Sequence, residues 1–146
     1  MLQDSPAFYY RFNEASGTVV HDSSGNFASG NYYGSIDFGL AGILVDDPGT
    51  AVGLDGSTSY ATTNNTYPNP QTFSEEIWFK STSTIGGVII SGTSAAGSSI
   101  TSDRTLFMNS SGALYFTWRI QRIPYIAIFL STVGVAGMTD VLTVLL

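Results

Sequence analysis

Apolar and polar residues alternate in several short stretches, which are separated by segments rich in Gly, Ser, Asn, Asp and Pro. At the start of the chain, Phe8, Tyr10 and Phe12 share one face of a predicted strand, because successive side chains of a strand point to opposite faces. The same alternation predicts more strands, at 36–40, from 52 onward, and at 73–80, 105–109 and 113–118. Residues 86–90 form a short apolar run that predicts a buried strand. Helical periodicity is weak throughout, so the pattern predicts an all-β protein.

The segments between the predicted strands have the composition of turns. Residues 22–31 are polar and contain Gly25 and Gly30, and glycine accepts the positive φ that tight turns need. Further turns are predicted at 46–49 and at 110–112, where Gly112 would take the positive-φ position of a short hairpin. A loop with two prolines is predicted at 64–70.

One predicted strand, 73–80, has a carboxylate among its apolar residues. Its alternation places Glu75 on the same face as Phe73 and Ile77. A carboxylate that is buried without a partner is energetically costly. We therefore expect this strand to lie near a sheet edge, or Glu75 to find a partner.

Length and charge narrow the classes of function. A chain of 146 residues is long enough for one domain with its own core. Its net charge is −6, with a pI near 4.3, so the phosphate backbone of a nucleic acid would be repelled. The chain has no cysteine, which excludes disulfides and thiolate metal sites.

Four stretches of the chain, taken together in this order, resemble a known family. They are residues 9–18 (YYRFNEASGT), 22–26 (DSSGN), 51–60 (AVGLDGSTSY) and 72–80 (TFSEEIWFK). In that order they resemble the laminin-G-like, concanavalin A-like jelly roll, over residues 5–116. The resemblance implies an antiparallel β-sandwich that binds sugars or other surfaces. Domains of this type are found in bacteriophage tail or structural proteins and in bacterial surface proteins.

The resemblance also implies where the protein works. Residues 1–6 have neither the basic nor the apolar region of a secretory signal peptide. We therefore expect a virion protein, or an extracellular or cell-surface domain whose export signal lies elsewhere. The first residues of the chain also resemble the lead-in of such domains in bacteriophage proteins, which favours the virion.

The composition changes at Thr117, and the resemblance stops there. Apolar residues occupy 45 of the first 116 positions and 18 of the last 30, while the net charge passes from −7 to +1. Two domain-level segments are therefore predicted: the jelly roll, 5–116, and a divergent apolar tail, 117–146. The tail is either a set of replacement strands or a frame-shifted or truncated end; its lack of gatekeeper charges slightly favours the second. A membrane span is disfavoured, since the uncharged run 123–139 has 17 residues and a spanning helix needs about 20.

The residues do not favour catalysis. Glycoside hydrolysis needs two carboxylates facing each other across the sugar, and the adjacent Glu75 and Glu76 point to opposite faces of a strand. His21 is the single histidine, and no nucleophile elbow or P-loop spacing accompanies it. The sequence therefore predicts a protein that is not an enzyme.

Calcium is the cofactor for which the sequence offers some support, because jelly rolls of this family often hold it in loops and it prefers oxygen ligands. Candidate metal ligands are Asp22, Asn26 and Asp55. Each residue also has an ordinary role in a turn, which is the favoured interpretation.

A glycan site would need aromatic rings for stacking and nearby amides for the sugar hydroxyls. Candidate ligand-binding residues are Tyr32, Tyr33, Tyr60, Asn64, Asn65 and Tyr67. A tyrosine at a strand end is more often a partly buried core residue, and Trp78 and Trp118 are expected in the core. The sequence thus predicts a non-catalytic recognition module that binds a glycan or a surface protein. The alternative is a purely structural module that contacts neighbouring virion subunits and has no small ligand.

Overall fold

The computed structural model describes residues 2–44, 46–67, 72–93, 102–117, 125–128 and 140–145, which form eleven strands. The strands are β1 (Val19–Val20), β2 (Gly30–Tyr33), β3 (Ile36–Ala41), β4 (Thr50–Leu54), β5 (Tyr60–Thr63), β6 (Ser74–Phe79), β7 (Gly87–Thr93), β8 (Ser102–Met108), β9 (Leu114–Thr117), β10 (Tyr125–Ile128) and β11 (Asp140–Leu145). A three-residue 3₁₀-helix, Leu2–Asp4, precedes them. The described residues contain no α-helix, which confirms the all-β prediction.

The strands form one large sheet and two ribbons. The large sheet has seven strands in the order β1-β2-β5-β10-β7-β8-β9. One ribbon pairs β3 with β4, and the other pairs β6 with β11. Every pair between these strands is antiparallel. The jelly-roll arrangement of the sheets stays a prediction.

Paired residues form a continuous line across six strands of the large sheet. Following the register from β2 to β9, the line runs through Tyr32, Ala61, Ile128, Ile90, Leu106 and Phe116. Paired residues of antiparallel strands lie on the same face of the sheet. Tyr32, Ala61, Ile90 and Leu106 are buried in the core, and the half-buried Phe116 packs against them. This line marks the core face of the sheet; we call the opposite face the outer face.

Several of the predicted faces are confirmed. In β6, Ile77 and Phe79 are buried on one face, as alternation predicts. Trp78, which was expected in the core, is instead exposed on the other face. In β4, Val52 and Leu54 are both buried. Strand alternation therefore identified the core side of these two strands correctly.

Two β-bulges interrupt the regular alternation of faces. In β3 the register shifts between Asp37 and Leu40, and Leu40 is 45% exposed although it was expected to share the face of Ile36. In β7 the register shifts between Val88 and Ile90, and both Ile89 and Ile90 are buried. A bulge inserts one unpaired residue, so the alternation restarts out of phase after it.

The predicted first strand, residues 8–12, is not a regular strand. Only Tyr10 is paired, in an isolated antiparallel bridge with Asp22, and the backbone of Phe12 has a φ of 54°. A left-handed residue interrupts an extended chain. The predicted face is nevertheless correct, since Phe8, Tyr10 and Phe12 all belong to the core or pack against it.

The predicted turn 22–31 ends earlier than expected, because Gly30 is the first residue of β2. A Cβ atom on Gly30 would collide with the backbone oxygen of Thr62 and would lie 2.9 Å from the hydroxyl of Tyr10. Glycine is needed here for the close approach of neighbouring chains and not for positive φ. At Gly112 the prediction is confirmed: its φ is 82°, in the hairpin between β8 and β9.

The tail contributes to both the large sheet and a ribbon. β10 pairs with β5 on one side and β7 on the other, and β11 pairs with β6 along six residues. Whether the tail is a set of replacement strands or a frame-shifted or truncated end stays a prediction. Residues 118–124, 129–139 and 146 lie outside the described part of the chain, as do 68–71 of the predicted proline loop. The described residues contain no helix that is long and apolar enough to cross a membrane.

Glu75 lies on an edge strand, as its carboxylate on an apolar face led us to expect, because β11 is the only described strand that pairs with β6. It is half-buried on the core side of β6, and its Oε2 atom is buried without a hydrogen-bond partner. Nearby, Arg104 lies with its guanidinium 5.0 Å from the ring centre of Phe73, and its Nη1 is 2.6 Å from Oδ2 of the buried Asp103. Burial raises the pKa of Glu75 to about 7; the charge of Arg104 opposes this shift and that of Asp103 adds to it.

We expect Glu75 to make the stability of the protein depend on pH. Its pKa in the folded chain, about 7, is above its usual 4.5, so the folded state binds the proton more tightly. The contribution of Glu75 to the free energy of unfolding should be fully present below pH 4.5 and be lost as the pH rises through 7, a loss on the order of 3 kcal/mol. Denaturant unfolding between pH 4.5 and 8 measures the slope.

The control for this experiment is the next residue in the chain. Glu75→Gln should abolish most of the slope, whereas Glu76→Gln, at the exposed position on the other face of β6, should leave it unchanged. A slope that survives Glu75→Gln would show that another group titrates.

Candidate functional site

Two tyrosines form a stacked pair on the outer face of the large sheet. Tyr33 ends β2 and Tyr60 begins β5, and the two residues are paired in register. Their ring centres are 4.8 Å apart and the rings are inclined by only 14°. Tyr33 is 38% exposed and Tyr60 is half-buried. The pair is therefore held by the strands and is reachable from solvent.

Two asparagines on the same two strands add amide groups. Asn31, two residues before Tyr33, shares its face, and its Nδ2 donates to Oδ1 of Asn64 at 2.8 Å. The backbone N–H of Asn64 donates to the backbone oxygen of Ser29 at 3.3 Å, which fixes the start of the loop after β5. Asn65 lies in the same loop, where its backbone oxygen accepts from the hydroxyl of Thr63 at 3.1 Å. These amides thus lie at the end of β2 and β5 that is opposite to the tyrosine pair. Asn31 is on the same face of the sheet as the pair.

Tyr32 lies apart from this group because it is on the core face. It is 4% exposed and its ring packs edge-on against Phe38, with 5.5 Å between centres. Its hydroxyl donates to Oε2 of Glu14 at 2.7 Å. Burial raises the pKa of Tyr32, and the hydrogen bond to the Glu14 carboxylate raises it further. Tyr32 is a core residue with a satisfied hydroxyl.

Tyr67 is also separate from the tyrosine pair. Its ring lies 5.5 Å from that of Phe8, in the N-terminal segment that covers the core. Burial raises the pKa of Tyr67, with a contribution from the charge of Asp22. Of the predicted ligand-binding residues, the structure therefore brings Tyr33 and Tyr60 together, places Asn64 beside Asn31, and puts Tyr32 and Tyr67 elsewhere.

Asp22 organises the loop between β1 and β2. Its Oδ1 accepts from the backbone N–H groups of Tyr9 and Ser24, each at 2.9 Å. Its Oδ2 accepts from the hydroxyl of Ser24 at 2.7 Å and from the N–H of Ala28 at 3.0 Å. Burial alone would raise the pKa of Asp22, but these four hydrogen bonds outweigh it and lower the pKa to about 2.

Asn26 closes the same loop over the N-terminal segment. Its Nδ2 donates to the backbone oxygens of Pro6, at 2.9 Å, and Ala7, at 3.3 Å. Its backbone N–H donates to the Ser24 hydroxyl. Asp22 and Asn26 together tie the β1–β2 loop to residues 6–9.

Asp55 performs the same role in the β4–β5 loop. Its Oδ1 accepts from the N–H groups of Ser57, Thr58 and Ser59, each at 2.8 Å. Its Oδ2 accepts from the hydroxyl of Thr58 at 2.6 Å. The Thr58 hydroxyl and these backbone donors hold the pKa of Asp55 well below its usual range. This carboxylate shapes its own loop, whereas Asp22 and Asn26 shape another.

These contacts agree with the ordinary turn roles of the three predicted metal ligands. Among the described residues, no group of three or more His, Cys, Asp and Glu side chains is placed to hold a metal ion. The calcium site stays a prediction. His21 is exposed, and its backbone N–H donates to Oε1 of Glu14 at 2.8 Å. Glu14, which the sequence did not single out, thus bridges His21 and Tyr32.

The chain was also compared with known proteins. It matches no protein-family model, no curated protein and no solved structure.

We expect Asp22→Ala to destabilise the fold by about 2–4 kcal/mol, because three backbone N–H groups and one hydroxyl lose a charged acceptor. In the unmutated protein this stabilisation should be present above pH 3.8 and be lost as the pH falls through about 2. Urea unfolding measures both effects. Asp37→Ala, at an exposed position of β3, is the control and should change stability by less than about 0.5 kcal/mol.

Calcium should leave the melting temperature unchanged if the hydrogen bonds on Asp22 and Asp55 satisfy these carboxylates. A ligand that binds only the folded state raises the melting temperature by mass action, so melting in millimolar calcium and in chelator tests this directly. A rise that Asp22→Asn or Asp55→Asn removes would instead establish the predicted calcium site.

Proposed function

We propose that this protein is a non-catalytic recognition module that binds glycans on a virion or cell surface. The observation that carries the proposal is the stacked pair of Tyr33 and Tyr60, which is accessible on the outer face of the large sheet. A sheet holds side chains in place better than a mobile loop does, so the pair forms a surface prepared for a ligand.

The chemistry of this surface suits a sugar. A pyranose ring has apolar C–H faces that pack against aromatic rings, and hydroxyls that need hydrogen-bond partners. Tyrosine supplies a ring and a hydroxyl on one side chain, while Asn31 and Asn64 supply amides. The overall charge of −6 argues against an anionic ligand.

The fold that we propose is a concanavalin A-like, laminin-G-like jelly roll over residues 5–116. The seven-stranded antiparallel sheet and the two ribbons that share its core support this proposal. β10 and β11 would then take the places of the family's last strands, since they pair with β5, β7 and β6.

A second candidate function is a structural module that contacts neighbouring subunits. Two large apolar side chains at loops favour it: Phe27 is 94% exposed and Ile85 is 84% exposed. Phe27 also has a φ of 56°, in a loop that Asp22 and Asn26 hold in place. Exposed apolar side chains on rigid loops are common in protein contacts.

We expect Tyr33→Ala to abolish or strongly weaken binding on a glycan array, because it removes the exposed ring of the stacked pair. Phe27→Ala is the matched control: it also removes an exposed aromatic side chain, but one that lies in the β1–β2 loop. The control should bind glycans as the unmutated protein does. An unmutated protein that binds no glycan would exclude the first candidate and leave the structural module.

A further inference from the structure

A second stacked aromatic pair lies near the other edge of the large sheet. Phe107 of β8 and Tyr115 of β9 are paired in register, with ring centres 5.4 Å apart and an inclination of 16°. Tyr115 is 48% exposed and Phe107 is half-buried. In geometry and exposure this pair resembles that of Tyr33 and Tyr60.

The register shows that both pairs lie on the outer face, at the same level of the sheet. The line of paired core residues begins at Tyr32 and Ala61 and ends at Leu106 and Phe116. Tyr33, Tyr60, Phe107 and Tyr115 are the next residues in these strands, and all four lie on the same side of that line. Neighbouring positions in a strand face opposite sides, so the four rings share the face opposite the core.

Of the two strands that lie between the pairs, β7 contributes Val88 to this level of the outer face. Ile89 is the unpaired residue, and Val88 beyond it is the register partner of Phe107. Val88 is half-buried, whereas Ile89 and Ile90 are both in the core. We call the residues Tyr33, Tyr60, Val88, Phe107 and Tyr115 the aromatic line.

The aromatic line crosses the strands over a considerable distance. Four strand spacings separate the centre of one pair from the centre of the other, which is about 19 Å at about 4.8 Å per spacing. This span exceeds the length of a monosaccharide or a disaccharide. Only an extended chain could contact both pairs at once.

Amide groups lie on or next to the strands of both pairs. Asn31 and Asn64 are bonded to each other at the other end of the strands that carry the first pair, and Asn109 lies beside the second, with its Nδ2 at 3.4 Å from the hydroxyl of Tyr115. Oδ1 of Asn109 accepts from the N–H groups of Ser111 and Ala113, each at 2.9 Å, which fixes the orientation of this amide. The second pair thus has an oriented amide beside it, whereas the amides on the strands of the first pair lie farther along those strands.

The described residues of the aromatic line and of the neighbouring positions on the outer face carry no charge. Two residues away along the strands, the described positions of the same face are Asn31, Thr62, Ser91, Thr105 and Thr117. Thr62, Ser91 and Thr105 are buried, so polar contacts with a ligand would come from the asparagines. An uncharged surface on a protein of net charge −6 fits a neutral ligand better than a charged one.

We propose that the two stacked pairs are two subsites of one surface that binds an extended neutral oligosaccharide, running across the strands. This inference rests on the proposed glycan recognition and adds the second subsite, the length of the ligand and its lack of charge. Each pair contacts a different part of the chain, so affinity increases with chain length until both pairs are occupied.

The test measures affinity by calorimetry for neutral gluco-oligosaccharides, from disaccharide to hexasaccharide, with β-1,3 and β-1,4 linkages. The unmutated protein should bind the hexasaccharide of its preferred linkage at least about tenfold more tightly than the disaccharide, which corresponds to about 1.4 kcal/mol. Tyr115→Ala should remove this gain and leave the affinity for the disaccharide at the first pair unchanged. Tyr115→Phe, which keeps the ring, should retain most of the gain.

Trp78→Ala is the control, because it removes an exposed aromatic side chain from β6, outside the large sheet. It should bind both sugars as the unmutated protein does. Circular dichroism checks that every variant is folded.

The outcomes separate the second subsite from glycan recognition itself. Binding that depends on Tyr33 but neither increases with chain length nor weakens in Tyr115→Ala would overturn the extended surface and leave glycan recognition intact. Absence of binding to every oligosaccharide and to a glycan array would overturn both. Tighter binding of an acidic hexasaccharide than of the neutral one would contradict the inferred lack of charge.

Discussion

The register between β2 and β5 is the constraint on which the rest of the large sheet depends. Gly30 allows β2 to approach Thr62 closely, and no other residue could occupy that position without moving one of the strands. A shift of one residue would send Tyr32 to the outer face and Tyr33 to the core. The same pairing places Val20 of β1 inside and continues through β10 to β9. The division between apolar core and tyrosine-bearing outer face follows from this one register.

Alternation predicted the strands whose environment is regular along their whole length. β6 is the clearest case, because Ile77 and Phe79 share one face, as expected, and both are buried. Alternation failed where a local feature interrupts the ladder. The bulges of β3 and β7 shift the phase, and Asp22 uses the N–H of Tyr9 that a regular first strand would offer to a neighbour. Such interruptions depend on contacts between distant residues, which the local pattern does not contain.

The candidate site was predicted in its residue types and only partly in its arrangement. Tyr33 and Tyr60 were among the candidates, but their pairing requires the register of two strands separated by 26 residues. Tyr32 was a candidate by its residue type, but Tyr32 and Tyr33 face opposite sides of the strand. Phe107 and Tyr115 belong to a hairpin that was predicted, but their pairing depends on the register of β8 and β9, which was not. Their relation to Tyr33 depends on β10 and β7, and no local signal could have revealed it.

The position of β10 has a consequence for the synthesis of this protein. β10 is inserted between β5 and β7, although it follows both in the chain by more than thirty residues. While the nascent chain is being made, β5 and β7 each expose an unpaired edge until residues 125–128 have left the ribosome. The large sheet is therefore completed late, because its two parts, β1-β2-β5 and β7-β8-β9, join only through β10. A chaperone that covers strand edges would act in that interval.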